Sequence, residues 1–337
     1  MEEKETPGPT IGIISLGEMG LGIARLLQTF QYNVATTLDG RSPSTVERAR
    51  SADIAIYPLS IMVDTVDIIL SIVPPESAIS TAESVLKALE SDRRPISNQT
   101  SNQSSSGRRL IYCDLNAVSP STSIRVAELF TFCSYRSIQC IDGGILGGPP
   151  TLNNASDALS IQAWSRPRIP LSGPTKLPNF PSPAAPDLTL SAILNIKHIS
   201  DELGRASGLK CCFASLLKGF QALALQSFST AESMGILNEL DEALDDMAPE
   251  MARRVKRGVS VVPRKAWRWI WEMEQIGECF GETGGWDEAH ENSKVFANIA
   301  GVFDVLATQT EVGKKREEGE WKRNVQELSE AVNKGAG

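Results

Sequence analysis

Thr10 to Leu27 reads TIGIISLGEMGLGIARLL and decides the fold. The apolar run at its start predicts a short buried strand, and helical periodicity resumes at Met19 after a tight turn. In a strand, turn and helix unit of this kind, glycines close the turn and admit a pyrophosphate, whose charge rests on amides at the helix N-terminus. Gly17 and Gly20 match the second and third glycines of that fingerprint. The turn is therefore predicted to bind phosphate through Leu16, Gly17, Glu18, Met19 and Gly20.

The fingerprint is incomplete, since Ser15 replaces its first glycine, which we expect to be a mild change. A purely structural turn is the alternative, because turns of many kinds use glycine. The residues that follow favour the phosphate-binding interpretation. Short apolar runs alternate with helical segments over the first 200 residues, the pattern of an open α/β sheet. Strands are predicted at 32–38, 54–57, 66–73, 110–115, 137–141, 159–164, 168–171 and 196–199.

From Asp201 onward the sequence has helical periodicity and no convincing strand. We therefore expect a domain boundary near residue 200, with a helical domain over 201–337. Residues 1–9, MEEKETPGP, predict a disordered tail. Residues 91–109 are polar and of low complexity, and we expect a disordered surface insertion there rather than a binding element.

Composition excludes several classes of function. The chain has 337 residues, 41% hydrophobic and 22% charged, and a net charge of −8, which argues against nucleic acid or an anionic membrane as the main partner. Lys218 interrupts the most apolar stretch and the N-terminus lacks a signal-peptide core, so we expect a cytoplasmic protein that does not enter a membrane. Six scattered cysteines and two distant histidines predict no metal site.

The turn after the second predicted strand bears on the cofactor. An acidic side chain about 20 residues beyond the glycines would accept a hydrogen bond from the adenosine ribose, whereas arginine would bind a 2′-phosphate. The sequence offers both, as Asp39 and Arg41. Because Leu38 falls at the ribose position, Arg41 and Ser42 are free for a phosphate, and we expect NADP(H) rather than NAD(H). A solvated turn whose arginine binds nothing is the alternative.

Ligands of open α/β folds bind at the carboxyl ends of the strands. Val73, Pro74 and Pro75 follow a fully apolar run and are predicted to form a rigid edge of the cofactor site. The segment 142–150, DGGILGGPP, holds four glycines that would let a ligand approach the backbone. The alternative is that this segment is a flexible connector without a ligand.

Lys210 lies early in the apolar stretch 206–225, ASGLKCCFASLLKGFQALAL, which predicts a buried helix. Burial of an amine disfavours its charged form, the condition that acid/base work near neutrality requires. The alternative is a lysine whose stem packs while its ammonium group reaches solvent.

Taken together, five motifs resemble one family. LGEMGLGIARLL, SIVPPESA, DLNAVSP, DGGILGGPP and ASGLKCCFASLLKG occur in the order and spacing of the β-hydroxyacid dehydrogenases, which include 6-phosphogluconate and 3-hydroxyisobutyrate dehydrogenases. The resemblance runs from Thr10 to about Ala300. It is closest to a poorly characterised branch whose helical C-terminal domain carries segments such as PRKAWRWIWEMEQI, at Pro263 to Ile276.

The resemblance implies a Rossmann-type domain over 10–200 with a doubly wound, mostly parallel sheet, followed by an all-helical domain. It also implies an active site in the cleft between the domains and a homodimer formed through the C-terminal helices. Lys210 matches the family's catalytic lysine, and Asn116 matches the polar residue beside nicotinamide and substrate. Gly147 and Gly148 match the glycines of the substrate loop.

Two departures from the family bear on the substrate. Leu146 replaces the serine that binds the substrate carboxylate, and Ala214 replaces an asparagine one turn after the lysine. We therefore expect an NADP(H)-dependent oxidoreductase that interconverts a hydroxyl and a carbonyl on a small hydroxyacid-like molecule, less acidic or more apolar than usual. An imine reductase and a nucleotide-binding protein without turnover are the alternatives.

Overall fold

The computed structural model describes residues 8–40, 42–91, 109–131, 133, 137–286 and 294–334. Arg41, His290 and almost all of the predicted tail and insertion lie outside these residues. The chain divides into two compact units, Met1–Lys210 and Cys211–Gly337. The division therefore falls inside a helix, Arg205–Met234, rather than ahead of it.

The first unit contains ten strands and six helices in its described part, and the seventh helix begins there. The strands are β1 (Thr10–Ile14), β2 (Asn33–Thr36), β3 (Ala55–Ile56), β4 (Ile68–Ser71), β5 (Leu110–Asp114), β6 (Ile138–Gly143), β7 (Thr151–Leu152), β8 (Trp164–Ser165), β9 (Ile169–Ser172) and β10 (Ile196–Ser200). The helices are α1 (Glu18–Thr29), α2 (Pro43–Ser51), α3 (Leu59–Thr65), α4 (Ala78–Ser91), α5 (Pro120–Thr131), α6 (Leu190–Ile193) and α7 (Arg205–Met234).

Eight of the strands form one sheet, in the order β10-β9-β6-β5-β4-β1-β2-β3. All neighbours run parallel except β6 and β9. Ile11 and Ile13 of β1 pack in one core cluster with α1, while Ile14 packs in another with α3 and α4. The sheet is therefore covered on both faces, which explains why its central strands read as apolar runs. The predicted doubly wound, mostly parallel α/β fold is confirmed.

Two local predictions differ from the structure. Residues 159–164 were expected to be a strand, but Ile161–Ala163 forms a 3₁₀ turn and only Trp164 continues into the short strand β8. The Trp164 indole donates to the carbonyl of Ala158, so the segment folds back on itself instead of extending. Helix α3 was not predicted, because Pro58 and a mixed apolar pattern conceal its start.

The second unit is helical throughout its described part. After the remainder of α7 come α8 (Leu237–Met247), α9 (Pro249–Val261), α10 (Ala266–Glu282), α11 (Lys294–Gln309), α12 (Glu311–Lys315) and α13 (Trp321–Lys334). Phe228, Met273 and Phe303 are fully buried at its centre. Trp269 meets Phe303 edge to face at 5.1 Å between ring centroids, so this tryptophan packs in the helical core.

Helix α7 is long and apolar enough to cross a membrane by length and composition, alone among the described helices. Core helices of soluble proteins meet the same criterion. Lys218 lies in this helix and pairs with Glu272 of α10, both nearly buried. A cytoplasmic location stays a prediction.

Candidate active site

The strand order reverses between β1 and β4, and ligands of open α/β sheets bind beside the carboxyl ends of strands at such a point. The turn after β1 is held by a very close backbone approach. A Cβ atom on Gly20 would lie 2.1 Å from the carbonyl oxygen of Ser15, so only glycine fits there. Ser15 itself adopts φ 77°, a left-handed conformation that costs an L-residue about 1–2 kcal/mol. The missing first glycine therefore strains this turn, which makes the replacement less mild than the sequence suggested.

Open space adjoins the turn at Gly17. This residue precedes α1, and a Cβ atom built on it would meet no protein atom within 4 Å. The first amides of an α-helix have no carbonyl partner within the helix, and they attract anions. The arrangement fits a pyrophosphate lying across Leu16, Gly17 and the first turn of α1, although phosphate binding by these residues stays a prediction.

An arginine that the sequence analysis missed supports this turn. The Arg48 Nε atom donates to the carbonyl oxygen of Leu16 at 2.9 Å, and its Nη2 atom donates to Thr45 Oγ1 at 2.9 Å. Ser42 Oγ lies 3.1 Å from the same Thr45 hydroxyl. The Arg48 guanidinium and the Thr45 hydroxyl thus stand near the predicted phosphate-binding residue Ser42. No sequence motif marks Arg48, because its partner Leu16 lies 32 residues away.

The competing acidic residue is already engaged. One oxygen of the Asp39 carboxylate accepts a hydrogen bond from the Leu59 amide at the start of α3, at 2.9 Å. This bond ties the turn after β2 to the start of α3. It gives Asp39 a structural role in the unit that does not depend on any ribose.

Asn116 is 2% exposed and lies in a polar network at the ends of β4 and β5. Its Oδ1 atom accepts from the Val73 amide at 2.7 Å, and its Nδ2 atom donates to Ser71 Oγ and to Asp114 Oδ1. The amide therefore holds the Val73–Pro75 segment, which was predicted to line the cofactor site. Its contact with a substrate oxygen stays a prediction.

Asp114 anchors this network from a fully buried position. Desolvation, aided by the negative charge of Asp142, raises the pKa of its carboxyl from 3.8 to about 7, against the lowering effect of the Asn116 hydrogen bonds. Asp114 and Asp142 are register partners on the parallel strands β5 and β6. Two neighbouring strands therefore end in buried acids that sequence reasoning did not single out.

The glycine-rich segment after β6 packs against α1, the helix that follows the glycine turn. A Cβ atom on Gly22 of α1 would lie 3.0 Å from Pro150 and 3.2 Å from Pro149. Gly147 has φ 126°, which side-chain-bearing residues rarely adopt. Leu146 exchanges backbone hydrogen bonds of 2.8 and 2.9 Å with Arg168, which fixes the segment on its other side. The predicted substrate-loop glycines, Gly147 and Gly148, thus belong to an ordered turn rather than a flexible connector.

Lys210 lies against this same segment. Its Nζ atom donates to the carbonyl oxygen of Ile145 at 2.7 Å, and its stem passes Gly144, where an added Cβ atom would approach Lys210 Cβ to 2.9 Å. The residue is half-buried. The amine therefore points to the carboxyl edge of the sheet, and its role in acid/base chemistry stays a prediction.

Asp142, at the end of β6, fixes the beginning of α7. Its carboxylate accepts from the amides of Ala206 and Ser207 at 2.9 and 3.1 Å. Three hydroxyls complete its hydrogen bonds, namely those of Ser123, Ser172 and Ser207. These partners are spread over three elements and up to 65 residues of sequence, so no local pattern reveals the cluster.

Comparisons with known proteins find chains of similar sequence and similar fold. Residues 231–306 match the model of a domain of unknown function, DUF1932. An uncharacterised 28.5 kDa protein of Methanothermus fervidus is 24% identical over 70% of this chain and 76% of its own length. The protein MTH1747, described as structurally similar to 3-hydroxyacid dehydrogenases, is 21% identical and covers 91% of this chain and 98% of its own, with a TM-score of 0.54. The 3-hydroxyisobutyrate dehydrogenase of Mycobacterium tuberculosis is 15% identical over 95% of this chain and 99% of its own, with a TM-score of 0.55.

Proposed function

We propose that this chain, which has the fold of the 3-hydroxyacid dehydrogenases, is an NADP(H)-dependent oxidoreductase that interconverts a hydroxyl and a carbonyl. The observation that carries the proposal is the 2.7 Å contact between Lys210 Nζ and the carbonyl oxygen of Ile145. This contact places a half-buried amine at the sheet edge where β1 and its glycine turn also end. A proton-transferring group and a nucleotide cradle therefore belong to one compact unit.

The residues around the second strand favour NADP(H) over NAD(H). Asp39, the residue that could accept from a ribose hydroxyl, already bonds the Leu59 amide. Ser42 and Arg48 add a hydroxyl and a positive charge next to the turn, and the sequence places Arg41 between them and the strand. Hydroxyls and guanidinium groups are the partners that a 2′-phosphate requires.

The proposed chemistry divides between cofactor and protein. When bound, the nicotinamide supplies the acceptor or donor of hydride. Lys210 removes the hydroxyl proton in oxidation and returns a proton to the carbonyl oxygen in reduction. Its bond to the Ile145 carbonyl orients the amine toward the glycine-rich segment after β6. Asn116, through its bond to the Val73 amide, shapes the neighbouring wall of the site.

The substrate we propose is a small hydroxyacid-like molecule with an apolar substituent. Leu146 and Ala214 stand where dehydrogenases of the resembling family carry a carboxylate-binding serine and an asparagine. Leu146 is half-buried and fixed by its backbone bonds to Arg168, so its side chain offers apolar contact where a hydroxyl would otherwise donate. The same two residues favour the second candidate, an imine reductase. Lys210 favours the dehydrogenase.

A substrate screen tests the proposal. NADPH and NADH consumption would be followed at the nicotinamide absorbance with aldehydes, 2- and 3-ketoacids and cyclic imines, and the reverse reaction with matching hydroxyacids and alcohols. Turnover of carbonyl compounds with NADPH supports the dehydrogenase, and turnover confined to imines supports the second candidate. Tight NADPH binding without turnover of either class would contradict both and leave a nucleotide-binding protein.

We also propose that two copies of the chain associate through an apolar ridge on α7. Phe213, Leu216, Phe220 and Leu223 repeat at helical spacing, and Leu216 and Leu223 are 76% and 66% exposed. Leu216, Phe220 and Leu223 also form one wall of a groove of about 670 Å³ between α7, α10 and α11. The other residues of its lining include Phe280, Phe296, Ile299 and Val302. Its described lining includes no ionisable side chain.

A second copy is the occupant that fits this surface. In a two-fold interface, the same surface of each copy contacts that surface of the other copy. An exposed ridge that forms one wall of a groove suits this arrangement, because the ridge of each copy can enter the groove of the other. Because each chain carries a charge of −8, two copies repel each other electrostatically. The ridge carries no charged side chain, so contact through this surface brings no like charges together. Light scattering during gel filtration should give a dimer for the wild type and for Leu159→Lys, an exposed leucine of the first unit. Leu216→Lys should give a monomer, and a monomeric wild type at tens of micromolar would overturn the proposal.

A further inference from the structure

The Asp142 carboxylate is fully buried and is the meeting point of β6, α5, β9 and α7. A buried carboxylate is costly unless its oxygens are bonded, and here five donors bond them. Two of those donors are backbone amides in the first turn of α7, where a negative charge also interacts favourably with the helix dipole. The contact therefore locks the position and direction of the start of α7.

The position of the Lys210 side chain depends on this contact between Asp142 and α7 in two ways. It follows Ala206 by one helical turn, so the direction of α7 at Asp142 sets where its side chain begins. Its acceptor, the Ile145 carbonyl, lies three residues after Asp142 in the segment that the same residue starts. The positions of both atoms in this 2.7 Å bond, Lys210 Nζ and the Ile145 oxygen, therefore depend on the Asp142 carboxylate.

We propose that Asp142 is a positioning residue for the Lys210 amine and that it acts through the first turn of α7. The inference rests on the proposed function for its consequence in catalysis, but the positioning itself is measurable without turnover. Loss of the link between Asp142 and α7 frees the Lys210 amine from Ile145. Loss of an equivalent bond to another element, such as the bond from Ser123 of α5, does not free the amine.

The chain supplies a matched pair of variants. The hydroxyls of Ser123 and Ser207 both donate to the same oxygen, Asp142 Oδ1. Ser123 lies on α5 and Ser207 on α7, so S123A and S207A each remove one buried hydroxyl while only S207A weakens the link to the lysine helix. D142N weakens the whole cluster because it removes the negative charge and replaces one of the two acceptor oxygens with a donating NH2 group.

The experiment is trace acetylation of the full-length protein with acetic anhydride, with the rate at each lysine read by mass spectrometry. Exposed Lys197 serves as the internal reference. In the wild type, Lys210 should react more slowly than Lys197. S207A and D142N should raise the relative rate at Lys210 at least roughly threefold, the scale of coupling between residues in one network. S123A should leave it unchanged, and melting curves identify any variant that fails to fold.

Two results overturn the inference. One is an equal Lys210 rate in wild type, S123A and S207A. The other is an equal increase in both serine variants, because that would show general loosening of the buried cluster. Failure of the proposed function is a separate outcome, since absence of turnover in the wild type would leave the labelling rates readable. Where turnover exists, S207A should lower kcat and shift the pH profile of kcat with little change in the KM for NADPH.

Discussion

The amine of Lys210 donates a hydrogen bond to the carbonyl oxygen of Ile145, with 2.7 Å between nitrogen and oxygen. One residue belongs to the first turns of a 30-residue helix and the other to a glycine-rich turn after β6. Their contact holds the Lys210 amine at the carboxyl edge of a mostly parallel sheet, the edge at which ligands of open α/β folds bind.

The glycine turn gives a matched pair of alanine variants. Gly17→Ala adds a methyl group into open space, so the fold should keep its stability. If a pyrophosphate occupies that space, the Kd for NADPH measured by calorimetry should rise at least roughly tenfold, about 1.4 kcal/mol. Gly20→Ala instead drives a Cβ atom into the Ser15 carbonyl and should lower the unfolding midpoint as well. Unchanged NADPH affinity in Gly17→Ala would remove the phosphate from this turn.

Ser15 offers a test of backbone strain. Its φ of 77° is easy for glycine and hardest for a β-branched residue. Ser15→Gly should therefore leave the free energy of unfolding equal or slightly higher, while Ser15→Val should lower it by about 1–2 kcal/mol. Urea unfolding followed by circular dichroism measures both. Equal stability of the glycine and valine variants would contradict the left-handed conformation.

Cofactor choice is predicted to depend on Arg41. Removing a charge-assisted bond to a phosphate costs about 1.5–3 kcal/mol, so Arg41→Ala should raise the Kd for NADPH roughly 10- to 100-fold. The Kd for NADH, which lacks that phosphate, should change less than about twofold. Fluorescence titration of both nucleotides gives the two constants, with exposed Arg50→Ala as the control. Parallel loss of both affinities would show that Arg41 does not select the 2′-phosphate.

Asp114 predicts a pH dependence of stability. Its folded-state pKa of about 7 lies above the usual 3.8, so the folded chain binds the proton more tightly than the unfolded chain. The stabilisation is therefore present at acid pH and is lost as pH rises from about 4 to about 7, by up to about 4 kcal/mol. Asp114→Asn cannot ionise and should flatten the fall in urea midpoint between pH 5 and 7.5. Asp157→Asn, at an exposed position, should keep the wild-type slope, and an equal slope in Asp114→Asn would exclude this acid as its source.

The fold was predictable because its signals are local. Apolar runs of four to six residues gave the central strands, and the glycine spacing gave the turn before α1. The prediction of a strand at 159–164 was wrong because a short apolar pattern does not distinguish a strand from a 3₁₀ turn. A likeness to hydroxyacid dehydrogenases, inferred from five motifs, is confirmed by the fold.

The polar framework of the site was not predictable. Asp142 draws its hydroxyl partners from positions 19, 30 and 65 residues away, and Arg48 reaches back 32 residues to Leu16. Contacts of that kind depend on how strands and helices come together, and no periodicity records them. The strain at Ser15 was likewise invisible, because a sequence shows the missing glycine and does not show the φ that the turn still demands.

The central claim is that Lys210 transfers the proton in a nicotinamide-dependent reaction. The most direct test compares kcat on the best substrate of the screen, and the Kd for NADPH, between wild type, Lys210→Met and the exposed control Lys197→Met. The account predicts that Lys210→Met binds NADPH within about twofold of wild type and loses kcat by roughly two to four orders of magnitude, while Lys197→Met changes neither. A Lys210→Met enzyme that turns over at a near-normal rate would contradict it.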